Sequence, residues 1–197
     1  MAQAADLEEL SALEMFAKNV ETLAKDLTDA QKAELKSATT FADLQTKVVE
    51  LEKAVSAAKV AKYNQPLVAL KKDIDNLKSQ IAAIENQSAT TADANEKVAK
   101  IRHLTNLILE LQKLDEAIAK NNVPAAVQKQ YLDKVTQELT SPQEVNSKQV
   151  AAIESITKEI NDKYGARSNN WWIALIVSAG VLLTLGFGLI LYKAKKK

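Results

Sequence analysis

His103 is the only histidine in the 197-residue chain, and cysteine is absent. A zinc site needs several imidazole or thiolate ligands, and a nucleophile–histidine relay needs a histidine held beside its partner. One imidazole next to Leu104, in an apolar-periodic stretch, offers neither and reads as a helix-flank residue. Carboxylates are plentiful, as at Glu8-Glu9 and at Glu50 and Glu52, but each pair stands among residues that read as a solvated helix face. General acid–base work demands a desolvated cleft that shifts a carboxyl pKa, and the sequence shows no such setting. No Gly-rich phosphate loop occurs either. No catalytic, cofactor-binding or metal-binding residue is therefore assigned, and a non-enzymatic protein without cofactors is expected.

The residues with the clearest physical meaning close the chain, in "NNWWIALIVSAGVLLTLGFGLILYKAKKK". No charge falls between Arg167 and Lys193. As a helix, Trp171 to Tyr192 would extend about 33 Å, against a hydrocarbon core of about 30 Å. Trp171 and Trp172 mark one membrane interface and Tyr192 the other, where amphipathic rings settle. Lys193, Lys195, Lys196 and Lys197 crowd the last turn, and the positive-inside bias assigns them to the cytoplasm. The expectation is a plasma-membrane, single-pass protein with its N-terminal part outside and the lipid bilayer contacted through 171–192. That placement requires an export signal. "MAQAADLEEL" has neither a basic nor an apolar leader region, although Ala2-Gln3-Ala4 has the spacing that precedes many cleavage sites. The alternatives are a tail-anchored coiled-coil protein whose helices lie in the cytosol and act in tethering or fusion, and a structural subunit of a larger membrane assembly. Gly180, Thr184 and Gly188 recur every fourth residue of the span, a small-residue stripe through which helices could self-associate.

Through Ala166, 21 basic residues face 25 acidic ones, a net −4, with no basic stripe to track phosphates, so nucleic acid is not an expected partner. Gly165 is the only glycine there. Abundant Ala, Leu, Lys and Glu read as all-α. Apolar residues recur at three and four: Leu10, Leu13, Phe16, Val20 and Leu23, then Phe41, Leu44, Val48, Leu51, Val55 and Ala58. Leu67, Leu70, Ile74, Leu77, Ile81 and Ile84 continue the pattern, as do Val98, Ile101, Leu104, Ile108, Leu111 and Ile118. These last two stripes suit an antiparallel, coiled-coil-like hairpin. Thr28 with Gln31 and Ser141 with Glu144 are capping boxes, Thr40 is a cap, and Gly165 is the expected C′ residue of the last soluble helix. The expected organisation is a three-helix bundle over 1–63, a helical hairpin over 64–121 and a helical pair over 122–166, which could form a second bundle with the preceding helix. The tether, transmembrane helix and basic tail then occupy 167–197. A weak repeat of helix, short helix and capped long helix relates the segment from Leu23 to that from Ile118.

"LEMFAKNVETLAKDLTDAQKAELKSATTFADLQTKVVELEKA", from Leu13 to Ala54, resembles the three-helix modules of Gram-positive surface proteins, the albumin-binding modules related to protein G and the FIVAR repeats of adhesins. "LTDAQK" and "ATTFADL", with Leu35, Leu44 and Leu51 as core positions, carry the likeness. The resemblance implies a cell-surface, adhesin-like binding module whose partner contact is Gln31, Lys32, Glu34, Lys36 and Thr39. Where the albumin-binding family has aromatic residues, this chain has Ala30, Gln31 and Lys32. No Leu-Pro-x-Thr-Gly precedes the span, so the tail is expected to stay in the membrane.

Overall fold

The three-and-four apolar period is realised as seven α-helices among residues 2–63, 68–140 and 147–165, which a computed structural model of the chain describes. They are α1 Ala2–Ala24, α2 Asp29–Lys36, α3 Phe41–Ala61, α4 Lys71–Ala83, α5 Thr91–Lys120, α6 Ala125–Thr140 and α7 Ser147–Ile160, which a π-helical turn, Asn161–Gly165, extends. The fold is an all-α helical bundle. The described residues contain no helix long and apolar enough to cross a membrane. The apolar run with Trp171, Trp172, Gly180, Thr184, Gly188, Tyr192 and the tail lysines lies outside them, as do Leu67 and the Ser141 box.

The axis of the bundle is α5, 30 residues and about 45 Å long. It packs against α1, α3, α4 and α7. The expected stripe from Val98 to Ile118 is buried throughout, and so is a second column, Leu107 and Leu114. A helix that is apolar on several sides belongs inside. Hence α5 touches helices of all three expected segments, and one hydrophobic core runs through them.

Side-chain bonds fix the directions. Asn95 donates to the Ala12 carbonyl and Arg102 to Asn19 Oδ1, at 2.9 and 2.8 Å, so α1 runs parallel to α5. Gln45 meets Thr91 at 3.0 Å, Glu52 meets Arg102 at 2.9 Å and Gln112 reaches the Val60 carbonyl at 3.3 Å, so α3 is parallel as well. His103 with Gln149, at 2.9 Å, and Asn121 with Asn161, at 2.8 Å, give α7 the same sense. The intervening α2, α4 and α6 run back in the opposite sense.

Three expectations are corrected. Leu10 and Leu13 are 52% and 39% exposed rather than buried: Leu10 precedes Ala12, where α1 bonds α5, and Leu13 lies off the face that carries Ala12, Phe16, Asn19 and Leu23. Phe41 and Ala58 are exposed as well, since α3 turns Gln45, Val49, Glu52 and Ser56 inward toward α5 beside Val48, Leu51 and Val55. Gly165 is not a left-handed C′ residue: no described glycine has positive φ. The left-handed residue is Asn122 (φ 48°), closing α5. Its N–H reaches the Ala119 carbonyl, that of Val123 reaches Ile118, and Val123 is buried, a Schellman ending made with asparagine.

Candidate functional site

The residues expected to form a partner contact lie together on and just after α2, and their backbone is set by caps on either side. Thr28 Oγ1 accepts from the Gln31 N–H, and Gln31 Oε1 accepts from the Thr28 N–H at 3.0 Å, so the amide of Gln31 is committed to the cap. Lys32 stands 3.8 Å from Asp29, an exposed pair that contributes little. Glu34 and Lys36 are exposed, and the Thr39 N–H donates to Asp43 Oδ2 at 3.0 Å. Leu35 turns to the core as expected. No residue of α2 is buried, and the patch offers two lysines and one glutamate without an aromatic anchor.

The seam between α1, α3 and α5 is more organised. Arg102 forks onto both Glu52 oxygens at 2.9 Å each and onto Asn19, while Glu52 is 5% exposed. Ser56 and Thr105 share a hydrogen bond of 2.5 Å one turn further along. Every charge here meets a partner, so the seam sets helix register and holds no group free for chemistry. Asp115 is 1% exposed and accepts the N–H groups of Val68, Ala69 and Leu70 at 3.0, 2.8 and 3.0 Å. It caps α4 from another helix, where Leu70 supplies no side-chain cap of its own. Sequence reading missed this role, although the absence of Ser, Thr, Asp or Asn ahead of α4 was a visible signal.

Two of the recesses along α5 are mostly apolar. One, about 430 Å³, lies between α3 and α4, which both pack on α5 but barely touch each other. Its floor is Val60, Ile81 and Ile108, and Lys53 and Lys78 are the charged residues lining it. Lys53 donates to the Ala82 and Ile84 carbonyls at 3.2 and 2.9 Å and so closes α4. The other, about 440 Å³, lies where α3, α5 and α7 converge. It contains the Tyr63 hydroxyl and Gln112 Oε1, both buried without a hydrogen-bond partner. Burial, then the charges of Glu116 and Asp115, push the Tyr63 hydroxyl up from its ordinary value.

His103 bonds Gln149, which in turn donates to the Glu138 carbonyl at 2.9 Å and so ties α5 to the α6–α7 turn. Among the described residues no group of three or more His, Asp or Glu side chains is placed to hold a metal ion. No protein-family model, no curated protein and no solved structure matches this chain.

Proposed function

We propose that the chain is a membrane-anchored, extracytoplasmic helical protein, non-catalytic, that displays a binding or spacer domain away from the bilayer. The observation that carries this reading is the charge-free run from Trp171 to Tyr192 closed by four lysines. The fold supports it, because α1 and α7 run parallel along α5 but are engaged at its two ends. Ala12 is level with Asn95, and Asn161 with Asn121, so the start of α1 and Gly165 stand at opposite poles. A polypeptide anchored just beyond Gly165 holds its N-terminal pole outward by the length of α5. In this reading the α2 patch of Lys32, Glu34 and Lys36 makes a weak or multivalent protein contact, with Gln31 and Thr39 serving the caps that frame it.

Protease added to intact cells tests the orientation. Loss of the helices with protection of a C-terminal epitope is the expected result. Full protection, while a surface control is cleaved, would overturn it and put the helices on the cytosolic side as a tail-anchored protein.

A further inference from the structure

The first turns of α1 have no partner in the bundle. Every residue from Ala4 to Ser11 is exposed, and Leu7, Leu10 and Leu13 are 65%, 52% and 39% exposed. Residues three and four apart share a helix face, which puts these leucines on one outward stripe with Asp6 and Glu14 beside Leu10. Glu8 and Glu9 add to the charge, and no basic residue precedes Lys18. The overhang is thus an acidic helix with an uncovered leucine stripe, the form of ligand that lies in an apolar groove.

The groove between α3 and α4 has the opposite character. Its floor of Val60, Ile81 and Ile108 is apolar, Ala57 and Ala82 form low lips, and its charged lining is lysine alone. Its volume, about 430 Å³, lies in the range of built recesses, about 300–1,000 Å³. The two features cannot meet within one chain. The overhang projects past the pole where α3 begins, whereas Ala57 lies sixteen residues along α3, about 24 Å away.

We infer that the α1 overhang of one copy docks in the α3–α4 groove of a second copy, leucines to the floor and carboxylates to Lys53 and Lys78. Charge selects this pairing over its rivals. Two overhangs would bring four carboxylates against four, and two grooves would bring lysines together. Because patch and groove are different surfaces, the contact is heterologous and propagates from copy to copy unless two copies exchange overhangs. The inference rests on the described helices and is independent of membrane orientation.

The absence of cysteine makes the test clean. Leu10→Cys and Ala82→Cys are introduced into separate full-length chains, each held at one copy per lipid nanodisc, and oxidised singly or mixed. Expected is a disulfide between unlike variants that exceeds either like-with-like product by about tenfold or more, as like-charge juxtaposition disfavours the latter. Lys78→Glu in the groove variant should remove the link, and Glu14→Lys in the overhang variant should restore it. Helix content by circular dichroism confirms that each variant folds. Equal yields of like and unlike products, or a link indifferent to Lys78→Glu, would overturn the proposal.

Discussion

The starts of α3 and α5 and the start of α4 meet the same requirement in different ways. At α3, Thr40 accepts from the Asp43 N–H while Asp43 accepts from the Thr39 N–H. At α5, Thr90 and Asp93 repeat the arrangement, with Asp93 accepting from Ala89. Both caps are complete within five residues of sequence. The donors ahead of α4 are instead satisfied by Asp115, which is 45 to 47 residues away and buried in the central helix. Local caps satisfy the first N–H groups of α3 and α5 without any tertiary contact. The start of α4 acquires its cap only when α4 reaches α5. The difference separates helices that organise the bundle from one that the bundle organises.

Breaking the remote cap should give the largest effect. Asp115→Ala leaves three N–H groups unsatisfied beside α5, and hydrogen bonds to a charged acceptor are worth about 1.5–3 kcal/mol each. Because the N–H groups regain water as the turn loosens, a loss of about 3 kcal/mol is expected in urea unfolding. Amide exchange should accelerate around Val68–Leu70 far more than at the start of α3. A uniform loss of protection would mean that α4 is as autonomous as its neighbours.

Thr40→Ala and Thr90→Ala should each cost about 1 kcal/mol, the ordinary worth of a threonine cap. The two costs should add in the double variant, since distant sites without shared partners behave independently. Marked non-additivity would indicate that the caps communicate through the Gln45–Thr91 bond beside them.

The smallest effect belongs to the α6–α7 pair, held at one end by a half-buried ionisable group rather than a cap. Glu159 receives Lys163 at 2.5 Å and the Tyr131 hydroxyl at 3.1 Å. Lys163, then Tyr131, holds the Glu159 carboxyl below its ordinary 4.5. Its contribution is therefore present above 4.5 and lost as pH falls through the lower folded value. Burial, then Glu159, pushes the Tyr131 hydroxyl above 10.0. That contribution is present below 10.0 and lost as pH rises through the higher folded value. Between these limits this contact should be insensitive to pH, and Glu159→Gln should remove the acid limb of a urea-midpoint profile while only lessening the alkaline one, since the burial of Tyr131 remains.

Much of the bundle was legible because periodicity and caps are local. The stripe of α5, the buried Leu70, Ile74, Leu77 and Ile81, and the caps at Thr28 and Thr40 lie where sequence placed them. The start of α5 at Thr91 has a local signal too, since "ATTAD" repeats the "ATTFAD" of α3. What failed depends on tertiary neighbours. Leu10 and Leu13 have the right spacing for a core, but the bundle stops short of Leu10 and turns another face of α1 inward at Leu13. Asp115 sits between Leu114 and Glu116 as an ordinary heptad residue, and only the packing of α4 gives its carboxylate three donors. Of the residues expected to form the α2 contact, Gln31 was also legible as half of the Thr28 capping box, and the structure commits its amide to that box.

The parallel course of α1, α5 and α7 also decides how the molecule bears load. Tension applied between the first turn of α1 and Gly165 acts along the helix axes. To separate, α1 must slide past Asn95 and Arg102, and α7 past His103 and Asn121. Sliding displaces whole rows of packed side chains at once, whereas peeling would free them one turn at a time. The same contacts that fix helix register therefore act as a brake in shear, and a pull applied across the axis should part the bundle at lower force.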